Sequence, residues 1–222
     1  MKFRHEYKHI INMSDMLQLK CRLSKIFRHD VNCANDGTYF IKSLYFDNFA
    51  DKALREKLDG VDYREKFRIR FYNNDTGFIR LEKKSKINGL CNKVSCEITQ
   101  HECNSIINND IEFLASSSDM LKKELYAKMK YQLLRPKCIV GYKRESFIYA
   151  PGNVRITIDS NIGGSNNISK FFNPDITLLN LYHNAILEVK WDEFLPQIVK
   201  DAVQSLCRHS SAFSKYAAIR IL

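Results

Sequence analysis

The sequence predicts an α+β fold: helices packed outside an antiparallel β-barrel tunnel of about eight strands. Three observations carry that expectation. The stretch Arg64-Glu-Lys-Phe-Arg-Ile-Arg-Phe-Tyr72 alternates with period two, setting Lys66, Arg68 and Arg70 on one side and Phe67, Ile69 and Phe71 on the other. A strand sends successive side chains to opposite faces, so this one has a greasy face and a cationic face. The same alternation recurs in other segments, most of them joined by hairpin turns. Helical segments are inserted between the strands rather than set apart, so residues 1–222 are expected to form a single domain.

In chain order, Phe3–Ile10 alternates Arg4, Glu6 and Lys8 against Phe3, His5 and Tyr7 and reads as a first strand. Ser14 can cap a helix running to about Arg28, with Met16, Leu17, Leu23, Ile26 and Phe27 as its apolar side. Thr38–Phe46, rich in β-branched and aromatic residues, is a strand. A short helix from Asn48 stops at Asp59-Gly60. The Arg64–Tyr72 strand, a turn at Asn73–Gly77, a partner strand Phe78–Lys86, a tight turn at Asn88-Gly89 and a strand Leu90–Ile98 make a meander. Gln100–Asn108 and Met120–Leu134 are helical, and Pro136 is expected to end the second. Lys137–Tyr149, Val154–Asp159 and His183–Lys190 read as strands, Ser160–Leu181 as a loop, Leu195 to about Cys207 as a helix, and Ser214–Leu222 as a closing strand bearing Lys215.

Lys plus Arg is 35 against 25 for Asp plus Glu, a formal net charge of +10. Such an excess favours a polyanionic partner. No apolar run is long enough to cross a membrane, and the charged start Met-Lys-Phe-Arg-His-Glu has no signal-peptide core. A cytoplasmic location is therefore expected. The 7 cysteines contain no C-x-x-C pair and fit no zinc template, which points to reduced thiols. There is no G-x-S-x-G, no H-E-x-x-H and no phosphate-binding glycine-rich loop.

The chemistry lies in the charged faces: Lys8, Arg68, Arg70, Lys84, Lys93, Arg144, Arg155 and Lys215 all sit on strands whose other face is apolar. Burying so many like charges without partners costs more than a small domain can bear, so they need water or a bound polyanion. Paired arginines such as Arg68 and Arg70 offer forked donors that match phosphate oxygens, and lysines add point charge. The acids on these faces, Glu6, Glu82, Asp159 and Glu188, are either salt-bridge partners or ligands of a divalent cation, Mg²⁺ or Mn²⁺, shared with phosphate oxygens. Glu188, in Leu-Glu-Val-Lys, leads the metal candidates, followed by Glu6 and Glu82.

In order along the chain stand Arg4-x-Glu6-x-Lys8, Tyr45-Phe-Asp47-Asn, Arg68-x-Arg70, Leu81-Glu82-x-Lys84, Asn88-Gly89 with Lys93, Tyr142-Lys-Arg144, Val154-Arg155-Ile-Thr-Ile-Asp159, Leu187-Glu188-Val-Lys190 and Ser214-Lys215-Tyr216. This set resembles the polyphosphate polymerase domain of the vacuolar transporter chaperone (VTC) family, within the CYTH-like triphosphate tunnel metalloenzyme superfamily. The resemblance implies a basic tunnel that binds ATP, triphosphate and polyphosphate, and a reaction that moves the terminal phosphoryl group of ATP onto a growing polyphosphate chain. It implies Lys8, Arg68, Arg70, Lys84, Lys93, Arg144, Arg155 and Lys215 as tunnel residues and Glu188 as metal ligand; Arg68 and Arg70, stabilising charge on the transferring group, and Glu188 are expected to be catalytic. Many superfamily members begin with two glutamates and a lysine; Arg4 in the first place argues against two-metal hydrolysis. A metal-dependent triphosphatase and a non-catalytic polyphosphate- or RNA-binding module remain the alternatives. The aromatics Phe67 and Phe71 alternate with the basic residues, which favours core packing over base stacking and a partner other than nucleic acid.

Overall fold

The computed structural model of the chain describes residues 4–34, 36–204 and 212–221. In order, its elements are β1 (His5–Ile11), α1 (Met13–Ile26), β2 (Arg28–His29), β3 (Thr38–Asp47), α2 (Lys52–Leu58), β4 (Arg64–Tyr72), β5 (Asp75–Ile87), β6 (Leu90–Glu97), α3 (Gln100–Ile107), α4 (Glu112–Ala115), α5 (Met120–Tyr131), β7 (Arg135–Tyr149), β8 (Val154–Ser165), β9 (Leu179–Tyr182), β10 (Ala185–Trp191), α6 (Gln197–Val203) and α7 (Lys215–Ile221). The main sheet runs β1-β10-β8-β7-β3-β4-β5-β6, with β2 on β7 and β9 on β8, and its pairings are antiparallel. It curls into a half-barrel whose edge strands touch at one bridge, Arg4 with Cys91. The helices pack outside, as the α+β reading anticipates.

The period-two pattern decides the two faces. The outward Phe67, Ile69, Phe71, Leu44, Phe46, Ile79 and Leu81 bury against α3, α4 and α5 through Cys103, Ile106, Leu114, Leu121, Leu125 and Met129. The outward residues of β8 and β10, Ile156, Ile158, Leu187 and Val189, bury against Leu19 and Leu23 of α1 and Val199 and Ala202 of α6. At about 25 cal/mol per Å² of apolar area, these two layers supply the main driving force for folding. Phe67 and Phe71 are therefore core residues, 2% and 0% exposed, with no face left for a nucleic-acid base.

Several boundaries differ from the sequence reading, each for a local reason. Asn12, not Ser14, caps α1: its side chain accepts from the Asp15 N–H while Asp15 accepts from the Asn12 N–H, a reciprocal capping box. Pro136 does not end a helix; it lies at the start of β7, next to the register shift between Tyr45 and Phe46 where a ladder donor is dispensable. The segment read as a loop after Asp159 contains the rest of β8, carried past an irregularity to Ser165, and then β9. The segment read as a closing strand is α7: Tyr216, Ala217 and Ile219 are its buried side, and adjacent Ala217 and Ala218 are good helix formers. The predicted Asn88-Gly89 turn is present, with both residues at positive φ (48° and 81°), the pattern of a two-residue hairpin turn. The proposed helix end at Cys207 and the residue Phe3 lie outside the described residues.

Candidate functional site

The concave face of the sheet is built by the same alternation. On β4, Lys66, Arg68, Arg70 and Tyr72 point inward; on β3, Tyr39, Ile41, Ser43 and Tyr45 do so; on β7, Cys138, Val140, Tyr142 and Arg144. Part of this face is apolar. Ile41, Tyr45, Cys138, Val140, Tyr142, Ile162 and Ile186 form a third cluster with Tyr216 and Ile219 of α7. α7 comes close because Gly164 has no side chain: a Cβ there would stand 2.1 Å from Cγ2 of Ile219. Asp47, of the Tyr45-Phe-Asp47-Asn motif, ties this end together. Fully buried, it accepts from the N–H groups of Ala53 and Leu54 in α2 and from the Tyr216 hydroxyl at 2.7 Å.

The rest of the concave face is charged, and three cavities follow one another along it. A wide one of about 780 Å³ is bounded by Arg68, Arg70, Lys93, Arg144, Arg155 and Lys190, with Tyr39, Tyr72 and Phe78 at its edges. A small inner one of about 60 Å³ lies among Lys8, Lys66, Arg68, Arg70, Arg144, Glu188 and Lys215. A third of about 160 Å³ opens beside α2 and the β5–β6 turn. Lys84 lines all three. The sheet, with α7 supplying Lys215, thus gathers every sequence-predicted basic residue around one space.

The carboxylates hold these cations in three groups. Glu82 on β5 accepts from Arg68 Nε at 2.6 Å and pairs with Lys93 Nζ at 3.1 Å, with Arg70 Nη1 at 4.0 Å. Asp159 on β8 takes a two-pronged contact from Arg144, at 2.6 and 2.7 Å, and Lys215 Nζ at 2.5 Å. Glu6 and Glu188 share Lys8 (2.6 and 3.7 Å) and Lys190 (3.7 and 3.1 Å), and Lys84 reaches Glu6 at 2.9 Å. Arg155, at the rim, is paired with Asp30 and donates to Ser146 Oγ.

Burial alone would push Glu82 and Glu188 up. The guanidinium groups of Arg68 and Arg70 beside Glu82, and Lys190 and Lys8 beside Glu188, outweigh it and hold both carboxyls well below the usual range. Burial would likewise lower Lys8, but Glu188 and Glu6 raise it above an ordinary lysine. Burial pulls Lys190 down to about 8 despite Glu188. Lys66 is lowered too, by burial first and then by the nearby cations Lys84, Arg68 and Lys8.

The three metal candidates are not one cluster. Glu6 and Glu188 converge on the same lysines, while Glu82 stands apart in the grip of Arg68 and Lys93. Among the described residues no three His, Cys, Asp or Glu side chains are grouped to hold an ion alone. Two ionised carboxylates completed by phosphate oxygens do suit Mg²⁺ or Mn²⁺, which commonly bind through one or two carboxylates plus substrate.

Sequence reasoning did not count several residues that complete the site. Tyr45 and Tyr142 accept from Arg68 Nη1 (3.1 Å) and Arg70 Nη2 (3.0 Å), and Ser43 accepts from Arg70 Nε (3.1 Å). These contacts fix the two arginine forks in place. Lys66 and Lys190 share their strands' faces with Arg68 and Glu188, a signal that alternation already contained. The buried Thr157 hydroxyl, facing the same space, has no hydrogen-bond partner among the described residues.

A model of the VTC domain matches residues 3–221. The chain belongs to the VTC domain family. In this VTC domain the curled antiparallel sheet forms a half-barrel with its helices outside. Among solved structures, similar chains include a putative adenylate cyclase from Bacillus halodurans (TM-score 0.47, 11% identity, covering 90% of this chain and 86% of that one). Others are the PH1012 protein of Pyrococcus horikoshii (TM-score 0.44, 11% identity, 90% and 85% covered) and a putative adenylate cyclase from Vibrio parahaemolyticus (TM-score 0.44, 12% identity, 90% and 82% covered). No curated protein matches the sequence. No helix among the described residues is long and apolar enough to cross a membrane.

Proposed function

We propose that this VTC domain is a polyphosphate polymerase: it transfers the terminal phosphoryl group of ATP to the end of an inorganic polyphosphate chain and releases ADP. The observation that carries the reading is the charge balance of the concave face. Among the described residues there, Lys8, Lys66, Arg68, Arg70, Lys84, Lys93, Arg144, Lys190 and Lys215 outnumber the acids Glu6, Asp75, Glu82, Asp159 and Glu188. The surplus calls for a ligand with several negative charges in a row.

In the reaction, a terminal phosphate oxygen of the chain attacks the γ-phosphorus of ATP. The bond from that phosphorus to the β–γ bridging oxygen breaks, and its electron pair leaves with ADP. Such transfer needs alignment and charge neutralisation more than covalent help. Arg68 and Arg70, locked by Tyr45, Ser43 and Tyr142, present fixed donors to the transferring group. Lys8, Arg144 and Lys215 hold neighbouring phosphates of donor and acceptor, and the wide cavity has room and aromatic edges for the nucleoside. A divalent ion would be held by Glu188 and Glu6 with phosphate oxygens, and when bound it supplies further neutralisation of phosphate charge.

The test is incubation of the purified protein with ATP and Mn²⁺, followed by gel and nucleotide analysis. Long polyphosphate with ADP is expected. Orthophosphate without polymer would make the protein a triphosphatase and overturn the polymerase reading. Arg70→Ala and Glu188→Ala are each expected to lose turnover while keeping a native circular-dichroism spectrum; wild-type turnover by either would overturn its assignment.

A further inference from the structure

One row of the sheet, running across β1, β10, β8 and β7, sets four inward side chains next to one another: Lys8, Glu188, Thr157 and Ser146. Three of them have partners. Lys8 pairs with Glu6 and Glu188, Glu188 with Lys190 Nζ at 3.1 Å, and Ser146 Oγ accepts from Arg155 Nε at 3.1 Å. Thr157 is the exception: it is 3% exposed, and its hydroxyl has no hydrogen-bond partner among the described residues. Its inward neighbours along β8 do not serve it, because Arg155 turns to Asp30 and Ser146, and Asp159 holds Arg144 and Lys215. A buried hydroxyl left unpaired is destabilising, and a valine would fill nearly the same space on a strand without that cost. The hydroxyl is thus a loss to the free protein and a gain only where something comes to meet it.

The carboxylate directly opposite is that of Glu188 on β10, and facing residues of antiparallel strands have Cβ atoms about 4.5–5.5 Å apart. As folded, this carboxylate rests on cations. Its Oε1 meets Lys190 and Lys8, and its Oε2 has Arg144 Nη2 at 3.5 Å, a nitrogen that lies closer to Asp159, at 2.7 Å. A divalent ion would compete for those same oxygens and repel those same cations. A carboxylate that ligates an ion is itself oriented by an outer hydrogen bond, and a neutral donor supplies one without repelling the ion. We infer that Thr157 is a positioning residue: its hydroxyl donates to the Glu188 carboxylate in the metal-loaded site and fixes it for the ion. The inference rests on the reading of Glu188 as a metal ligand.

Calorimetric affinities for tripolyphosphate, taken with saturating Mn²⁺ and again with EDTA, test this, because their ratio reads the contribution of the ion. The wild type is expected to gain roughly 10- to 100-fold from Mn²⁺, and Glu188→Gln to lose that gain. Thr157→Val is expected to lose about tenfold of the gain while keeping wild-type affinity in EDTA. Without metal it should also melt about 2–4 °C above the wild type, since it removes an unpaired buried hydroxyl. Thr157→Ser, which keeps the donor, should keep the gain. A Thr157→Val protein with the full gain, with affinity lowered equally in EDTA, or with a melting temperature below the wild type would each overturn the role of Thr157. So would a Thr157→Ser protein without the gain. A wild type with no gain from Mn²⁺, or a Glu188→Gln protein that retains it, would instead overturn Glu188 as metal ligand, and the role of Thr157 with it.

Discussion

The two faces of β4 are one residue apart in sequence and opposite in what satisfies them. Phe67, Ile69 and Phe71 look outward and are closed off by α3, α4 and α5, all within this chain. Lys66, Arg68 and Arg70 look inward, where Glu82 answers the arginines, tyrosine and serine hydroxyls fix the forks, and Lys66 has no acid at ion-pair distance among the described residues. The outer face is complete; the inner face is organised but left electrically open. A face that folding does not finish is one that a ligand must finish, and this contrast separates the part of the strand that makes the fold from the part that makes the site.

The sharpest way to break the contrast is on the outer face. Phe71→Ala removes a fully buried ring packed against Phe171 and is expected to cost about 3–5 kcal/mol in urea unfolding. A loss below about 1 kcal/mol would show that this face does not hold the core together. Next comes Glu82→Gln, which leaves Arg68, Arg70 and Lys93 without their carboxylate and should cost about 3 kcal/mol. Saturating tripolyphosphate should then raise the melting temperature of this variant more than that of the wild type, since added anions replace the missing one. An equal rise in both would mean that the inner face is closed without a ligand.

The same carboxylate sets a pH dependence. The folded-state pKa of Glu82 lies below its unfolded value, so the stability it contributes is complete above about pH 4.5 and fades as the pH falls below that. Urea midpoints measured from pH 7 to pH 3 should fall more steeply for the wild type than for Glu82→Gln; parallel slopes would remove the carboxylate from the account. The smallest effect belongs to Lys42. It is a cation on the outer face, 2% exposed, whose Nζ donates to the Asn173 carbonyl at 2.8 Å and sits over the Phe71 ring. Burial lowers its pKa. Lys42→Met should shift stability by less than about 1 kcal/mol and leave tripolyphosphate affinity alone; weakened ligand binding would show that the two faces are coupled through β3.

Alternation made much of this legible beforehand. In β4, β5, β7 and β10 a period of two sorts each residue to a face, so the inward position of Arg68, Arg70, Lys84, Arg144 and Glu188 could be read from spacing alone. What spacing could not give was which acid meets which base. Glu82 joins Arg68 through a neighbouring strand, but Asp30 reaches Arg155 across 125 positions of chain, and register between distant strands is a tertiary fact. The end of the chain was misread for a different reason. Ile219, Ile221 and Tyr216 have strand-like propensities, and the room above Gly164 and the bond from Tyr216 to Asp47 join the helix-forming Ala217 and Ala218 in making a helix the better packing.

Gly164 carries no charge and donates nothing to a phosphate, yet it sets where one positive charge can stand. A methyl group at that position would overlap Ile219 and lever the terminal helix off the sheet, and with it the ammonium of Lys215, four residues earlier in the same helix. An alanine scan read only for polar contacts would miss it: the electrostatics of the innermost chamber hinge on a hydrogen atom behind the wall.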